Sequence, residues 1–244
     1  MSMPADWIVP DWPAPVRVRA LVTTRSGGAS GGIYAGFNLG ERIGDDDQAV
    51  ASNRGFLRRL LPHEPIWMRQ VHGTRVVEAE PRSLGEEADG AVARETGRVC
   101  AVLTADCLPV LLADAAGTVV GIAHAGWRGL AAGVIENVVR AMGVAPKSLI
   151  AYLGPAIGAG AYEVGRDVFD AFVAADPVAA TAFAPRGAGK FLADLNRLAR
   201  QRLTRLGVGS IHGGILCTYS DPERFYSYRR DGATGRMASL VWME

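Results

Sequence analysis

Cys107 and His124 are the residues whose types and spacing most directly suggest chemistry in this chain. They lie in the stretch VLTADCLPVLLADAAGTVVGIAHAGWRG, residues 102–129, where Asp114-Ala115-Ala116-Gly117 separates two apolar runs and reads as a hairpin turn. A symmetric ladder centred on Ala115-Ala116 sets Cys107 opposite His124, with Cβ atoms roughly 5 Å apart. Thiolate and imidazole at that separation can share one metal ion or form a nucleophile–base pair. Pro109 qualifies this register, because proline inside a sheet asks for an edge or a bulge. A catalytic zinc usually takes three protein ligands and keeps a fourth position open. His72, at the tight turn Gln70-Val71-His72-Gly73 where a side chain can point into a cleft, is a candidate third ligand, although distance along the chain does not establish it. Taken singly, Cys107 reads equally as a small core residue and His124 as a hydrogen-bonded residue at a strand end. Their expected pairing is what raises both.

The residues around this pair suggest an anion. Ala125-Gly126-Trp127-Arg128-Gly129 leads from His124 straight into a helix, and a helix start offers free N–H groups to an anion. Arg128 adds a planar two-pronged donor, although the same segment also reads as a tight strand-to-helix turn. Asp106 is a candidate acid/base beside the metal or a structural turn residue. Arg25 at the head of the glycine-rich loop 26–32, Asn38, Gln70 and Arg230 complete the candidate substrate and phosphate ligands. Tyr226-Ser227-Tyr228-Arg229-Arg230-Asp231-Gly232 combines aromatic faces with a double arginine, suited to a planar base and an anion, or equally to an exposed hairpin. Cys100 and Cys217 read as core, and His63 and His212 as surface or loop residues.

The elements that must position these groups follow from periodicity. Val16–Thr24 alternates and reads as a strand, as do 66–70, 75–79, 99–104, 108–113, 118–124, 148–153, 211–219 and 238–243. A helix is expected from the caps at Asp45 to Asp47 to about Leu61, where Pro62 stops it. Further helices are expected over 130–142, 167–174 and 191–206, the last ended by Gly207. Strands and helices mix without strict βαβ alternation, so one α+β domain spanning 1–244 is the economical reading, with 1–15 as an N-terminal extension.

Bulk composition narrows the function classes. The chain has 244 residues, 49% apolar and 21% charged, enough to bury one sizeable core. A net charge of +1, with no long run of one sign, gives no nucleic-acid or membrane footprint. The basic residues are nearly all arginine, Lys147 and Lys190 being the lysines, and this reads chiefly as genomic composition. Three cysteines without CxxC spacing fit a reducing, cytoplasmic compartment better than a secreted one. The start of the chain carries no signal-peptide pattern, and no stretch is apolar for long enough to span a membrane.

The sequence resembles the YfiH-type, or laccase-domain, proteins, also described as polyphenol oxidases or peptidoglycan editing factors. The resemblance rests on Thr23-Thr24-Arg25-Ser26-Gly27-Gly28, Phe37-Asn38-Leu39-Gly40, Gln70-Val71-His72-Gly73, Ala88-Asp89-Gly90 and Leu103-Thr104-Ala105-Asp106-Cys107-Leu108-Pro109. It continues through His124-Ala125-Gly126-Trp127-Arg128-Gly129, Gly154-Pro155-Ala156-Ile157-Gly158, Tyr162-Glu163-Val164, Cys217-Thr218-Tyr219 and Phe225-Tyr226-Ser227-Tyr228-Arg229-Arg230-Asp231. These segments run in the family's order from residue 23 onward, and the TADC and HAGWRG segments together are very specific.

The resemblance implies a β-sheet sandwich flanked by helices, of a YfiH/CNF-like kind, with zinc on His72, Cys107 and His124. It also implies phosphorolysis of adenosine, inosine, guanosine and methylthioadenosine, with adenosine deamination as a side activity. The partners expected are a purine nucleoside and phosphate, for a monomer or homodimer acting without nucleic acid or membrane. A multicopper oxidase needs a mononuclear site plus a trinuclear cluster held by many imidazoles, and four histidines in the chain exclude that on ligand count. A single His2Cys copper site stays open, since copper accepts the same ligands. Two rivals remain: a metal-free hydrolase of cell-wall precursors with Cys107 as nucleophile and His124 as base, and a non-enzymatic binder.

Overall fold

The computed structural model describes residues 3–244, and its architecture follows from alternation along a few strands. In chain order the strands are β1 (Val18–Val22), β2 (Pro65–Ile66), β3 (Val76–Glu78), β4 (Gly90–Ala93), β5 (Val99–Thr104), β6 (Leu108–Asp114), β7 (Val120–Ala125) and β8 (Leu149–Leu153). They continue as β9 (Glu163–Val164), β10 (Phe183–Pro185), β11 (Phe191–Ala193), β12 (Ser210–Gly213) and β13 (Met237–Met243). The α-helices are α1 (Asp47–Arg58), α2 (Trp127–Ala132), α3 (Val134–Met142), α4 (Arg166–Val173), α5 (Leu195–Leu206) and α6 (Tyr228–Asp231).

A six-stranded sheet of order β12-β8-β6-β7-β4-β3 lies against a four-stranded sheet of order β1-β13-β5-β2. Leu111, Ala113, Val120 and Ile122 of the larger sheet meet Cys100, Val102, Val241 and Met243 of the smaller one in the dry layer between them. The alternate residues Val110, Leu112 and Ala123 point the other way and pack under α3 and α5, against Val134, Val138, Leu198 and Leu203. The outer face of the four-stranded sheet is covered by α1 through Leu57, together with Trp7 and Phe37. Period-two alternation thus builds two cores from one strand, and each fully buried leucine contributes about 2 kcal/mol. The expected α+β sandwich flanked by helices is the observed class, joined by a small sheet of order β10-β11-β9.

Several boundaries differ from expectation for identifiable reasons. The β6–β7 ladder pairs Pro109 with His124 and Leu108 with Ala125, so Cys107 is not opposite His124. The carboxylate of Asp114 accepts the N–H groups of Ala116, Thr118 and Val119, and Gly117 takes φ +67°. The connection is therefore longer than a two-residue turn, and the register moves by two. An even shift keeps every side chain on its face, so Cys107 becomes a diagonal neighbour of His124 rather than a direct one. Pro109 sits in a central strand, at its second residue, where its carbonyl accepts the Gly154 N–H at 2.9 Å.

The helix expected over 130–142 starts earlier and breaks at Gly133, which takes φ +100° and divides α2 from α3. Residues 191–193 are strand rather than helix, and Asp194 caps α5 by accepting the Arg197 N–H at 2.9 Å. The strand expected over 211–219 stops at Gly213, because Gly213 and Gly214 both adopt positive φ. The Tyr226–Gly232 segment forms the short helix α6 capped by Ser227, not a hairpin. The N-terminal segment is no loose extension: Trp7 is buried and Ile8 bridges Val22, while Met1 and Ser2 lie outside the described residues.

Candidate metal centre

Three elements bring the donors together. His72 lies in the turn between β2 and β3, with φ +59°, a left-handed conformation that costs a non-glycine residue. Cys107 follows Asp106, whose φ of +90° kinks the chain just before β6. His124 is the next-to-last residue of β7 and is 3% exposed. The Cys107 Sγ lies 3.7 Å from His72 Nε2. The rings of His72 and His124 sit edge to face at 4.8 Å. One ligand atom from each residue lies within 4.8 Å of the other two, the one such His/Cys/Asp/Glu group among the described residues.

The His72 turn is built by contacts around it. Gln70 clamps β5 with both ends of its amide, donating to the Leu103 carbonyl at 2.8 Å and accepting its N–H at 2.7 Å. Asn137 of α3 donates to the Thr74 carbonyl at 2.9 Å. Gly126 is where α2 begins, and a Cβ there would stand 2.7 Å from His72 Cδ2 and 3.0 Å from Cys107 Sγ. Glycine at 126 is therefore a condition of the close approach.

Asp89, fully buried just before β4, closes the arrangement. It accepts from His124 Nδ1 at 2.7 Å, and its other contacts are backbone N–H groups of the His72 turn. Burial opposes its charge, yet the His124 bond and those N–H groups hold the carboxyl below its ordinary range. For Cys107, burial alone would raise the thiol; the charge and hydrogen bonds of His124 and His72 outweigh it and bring it down to about 6. Burial alone would lower His124, but the Cys107 charge and the Asp89 bond lift it to about 9. In the metal-free centre each of these two groups thus favours the charged form of the other.

These observations fit a metal. Ligand atoms around one tetrahedral zinc stand roughly 3.5 Å apart, close to the sulfur–nitrogen distance here. The Asp89 bond at Nδ1 leaves His124 Nε2 as the free donor, the usual second contact of a ligating imidazole. The set of two imidazoles and one thiolate leaves a fourth position for water or substrate.

The other expected site residues divide. Asp106 accepts from Thr218 Oγ1 at 2.6 Å and from the Arg229 N–H at 2.7 Å, so both oxygens tie the start of α6 to the Cys107 kink. Those two bonds give it a structural role at the turn. Arg25 donates to the carbonyls of Pro222 and Ala35 and stacks on Tyr226. Asn38 is fully buried and bonds Asp45 and the backbone of Gly40 and Arg236. Arg230 spends its donors on Asp231 and on the carbonyls of Thr218, Tyr219 and Phe225. The Gln70 amide is engaged on β5. The structure therefore employs Arg25, Asn38, Gln70 and Arg230 in holding loops, and Arg230 has every guanidinium donor engaged.

Arg128 is different. Its guanidinium stacks on Trp127 at 4.5 Å, and among the described residues no carboxylate or carbonyl engages it. Arg229 stacks on Tyr162 at 5.2 Å, and the charges of Cys107, Arg229, Arg128 and Asp106 all act on the Tyr162 hydroxyl, which burial pushes up. Asp89 and Tyr162 were not among the expected site residues, although both lie in the segments that carry the family resemblance, and Arg229 is the first arginine of the expected double-arginine segment. Of the remaining residues, Cys100 is buried between the sheets and His212 lies beside Ser210. Cys217 is half-buried rather than core; it accepts the Gly158 N–H at 3.2 Å and lines a surface cavity of about 540 Å³ with Ser220, Asp221 and Arg224.

Comparison with known proteins shows what the chain is similar to. The family described as "Multi-copper polyphenol oxidoreductase laccase" matches residues 19–244. The chain is 54% identical over 239 residues to a purine nucleoside phosphorylase of Pseudomonas aeruginosa, covering 98% of each. It is 50% identical to the purine nucleoside phosphorylase YfiH of Escherichia coli, over 97% of this chain and 98% of that one. A crystal structure of a Neisseria meningitidis protein superimposes with a TM-score of 0.95 at 53% identity, over 98% and 99% of the two chains. One of a Bacillus licheniformis protein, YfiH, gives 0.87 at 31% identity, over 93% of each.

Proposed function

The chain belongs to the YfiH-type laccase-domain family, and we propose that it is a purine nucleoside phosphorylase that holds zinc on His72, Cys107 and His124. The carrying observation is the convergence of these three donors in a chain so close, end to end, to purine nucleoside phosphorylases. The family description speaks of several coppers, but His63 lies against Gly97 and His212 beside Ser210, which leaves two imidazoles at the centre. Zinc bound there would supply a Lewis acid beside the reacting nucleoside.

Phosphorolysis joins a phosphate oxygen to the ribose anomeric carbon and breaks the bond from that carbon to the purine nitrogen. The products are ribose 1-phosphate and the free base. Between attack and departure the sugar carries oxocarbenium character, so an anion placed beside it both attacks and stabilises. Arg128 suits the phosphate, because its fork is exposed and unneutralised and its plane is set by Trp127. The short α2 adds little helix dipole, so the guanidinium carries this role. Arg229 is fixed against Tyr162 and the Glu163 carbonyl, and its backbone N–H is held by Asp106 next to Cys107. Adenosine deamination is included as a side activity. The reduced Cys107 this centre needs places the protein, in this reading, in the cytoplasm.

The test is direct. Purified protein is incubated with adenosine and phosphate, and adenine, ribose 1-phosphate and ammonia are measured alongside zinc content. Phosphate-dependent adenine release that vanishes in Cys107→Ala supports the proposal. Zinc-loaded protein that turns over no nucleoside removes it.

One observation favours a second reading. Cys107, His124 and Asp89 are linked in the order nucleophile, base and orienting carboxylate, the arrangement of a cysteine hydrolase acting on cell-wall precursors. A covalent adduct on Cys107 in an active, metal-free enzyme would select it over the zinc centre.

A further inference from the structure

We propose that Asp89 is the positioning residue of this centre, one buried carboxylate that sets both imidazoles in their ligating pose. The inference rests on the metal reading above for its affinity consequence, while its geometric part stands without a metal.

The topology delivers Asp89 to both histidines. β4 pairs antiparallel with β7, Gly90 opposite Ala123, and the His124 N–H donates to the Asp89 carbonyl at 2.7 Å. β4 also pairs in parallel with β3, Val76 opposite Gly90, which brings the turn preceding β3 to the same point. The carboxylate then sits where the two ligand-bearing segments meet.

Its four contacts account for both oxygens. Oδ1 accepts from His124 Nδ1 at 2.7 Å and from the His72 N–H at 3.0 Å. Oδ2 accepts from the N–H groups of Val71 at 3.1 Å and Gly73 at 2.6 Å. A carboxylate offers about four lone-pair positions, so none is left for substrate, and the residue is fully buried. Asp89 therefore acts through its neighbours. On His124 it commits the proton to Nδ1 and leaves the Nε2 lone pair for the metal. On the His72 turn, three successive N–H groups wrap one anion, which holds His72 in its left-handed conformation and sets its ring edge to face with His124. An amide at 89 cannot do both, because its NH2 would face N–H donors.

The experiment compares wild type with Asp89→Asn by two measurements. In ¹⁵N-labelled, metal-free wild type, the His124 Nδ1 proton should appear as a downfield, slowly exchanging resonance, and it should be lost in the variant. Zinc affinity, read by competition with a chromophoric chelator, should fall about 10- to 100-fold. A His124 ring protonated at Nε2 alone in wild type overturns the proposal, and that measurement needs no variant, so it decides even where Asp89→Asn fails to fold. A folded variant with unchanged zinc affinity overturns it too. Wild type that binds no zinc while keeping the Nδ1 proton refutes the metal reading instead and leaves the positioning role supported.

Discussion

The backbone at position 72 makes a measurable demand that does not depend on catalysis. His72 has φ +59°, where any residue with a Cβ is disfavoured by about 1–2 kcal/mol relative to glycine. Glycine in turn loses more freedom on folding, which returns about 0.5–1 kcal/mol. His72→Gly should therefore be more stable than His72→Ala by about 0.5–1 kcal/mol. Both variants delete the same ring, with its contacts to Cys107 at 3.7 Å and His124 at 4.8 Å, so those losses cancel in the comparison. In a protein of this size the difference corresponds to about 1–2 °C in Tm. The assay is thermal melting of both variants with chelator present, so that metal binding does not enter. An alanine variant that melts at or above the glycine variant would refute the claim that the Asp89 contacts hold this turn in a strained conformation.

Three further outcomes follow from the same structure. In metal-free protein, alkylation of Cys107 by iodoacetamide should stay fast down to about pH 6 and fall below it, because its thiolate persists to that value; an ordinary thiol profile centred near its usual pKa would contradict the His124 pairing. Asp114→Asn should destabilise the β6–β7 hairpin by about 2 kcal/mol at neutral pH; burial opposes the Asp114 charge, but the Val119 and Thr118 bonds hold its pKa low. That contribution is complete above the unfolded aspartate pKa, near 3.9, and disappears as pH falls through the lower folded value, so denaturation curves of the two proteins should converge in acid. Arg128→Ala should raise the KM for phosphate about 10- to 100-fold while leaving nucleoside KM nearly unchanged, as steady-state kinetics with each substrate varied would read.

Strand faces were more legible in the sequence than strand partners. The alternation in 99–104 and 108–113 announces two-sided burial, and Cys100, Val102, Leu111 and Ala113 do meet between the sheets. The hairpin register was misplaced because the decisive group, the Asp114 carboxylate, reaches forward to three N–H groups and lengthens the turn. The pairing error left the site intact only because the shift was even. Phe191 and Leu192 read as helix by pattern, but Ala193 and its neighbours pair with β10, a tertiary choice that no local signal carries. Asp89 escaped notice for a related reason. A lone acidic residue between Ala88 and Gly90 looks like a turn, and its four donors come from residues 16 to 35 positions away in the ladder or across a loop. Arg25, Asn38, Gln70 and Arg230 were named from residue type and position, and nothing in the sequence signals the internal carbonyls and carboxylate their donors hold.

The donor count also bears on what the family's description can mean for this chain. Reducing dioxygen to water takes four electrons, which multicopper oxidases collect at a site of one thiolate-bound copper and pass to a cluster of three. Here the Cys107 sulfur, both site imidazoles and the Asp89 carboxylate belong to one cluster with room for a single metal in the proposed reading. The two other histidines lie on separate elements, and four in all could not furnish a second cluster. Copper could occupy the His2Cys set, but it would have no neighbour to relay charge to. A non-redox role would need only one metal on the two imidazoles and the thiolate, with the unneutralised arginine on the adjoining helix. The same donor set thus separates two chemistries that the family's description and its relatives' names leave side by side.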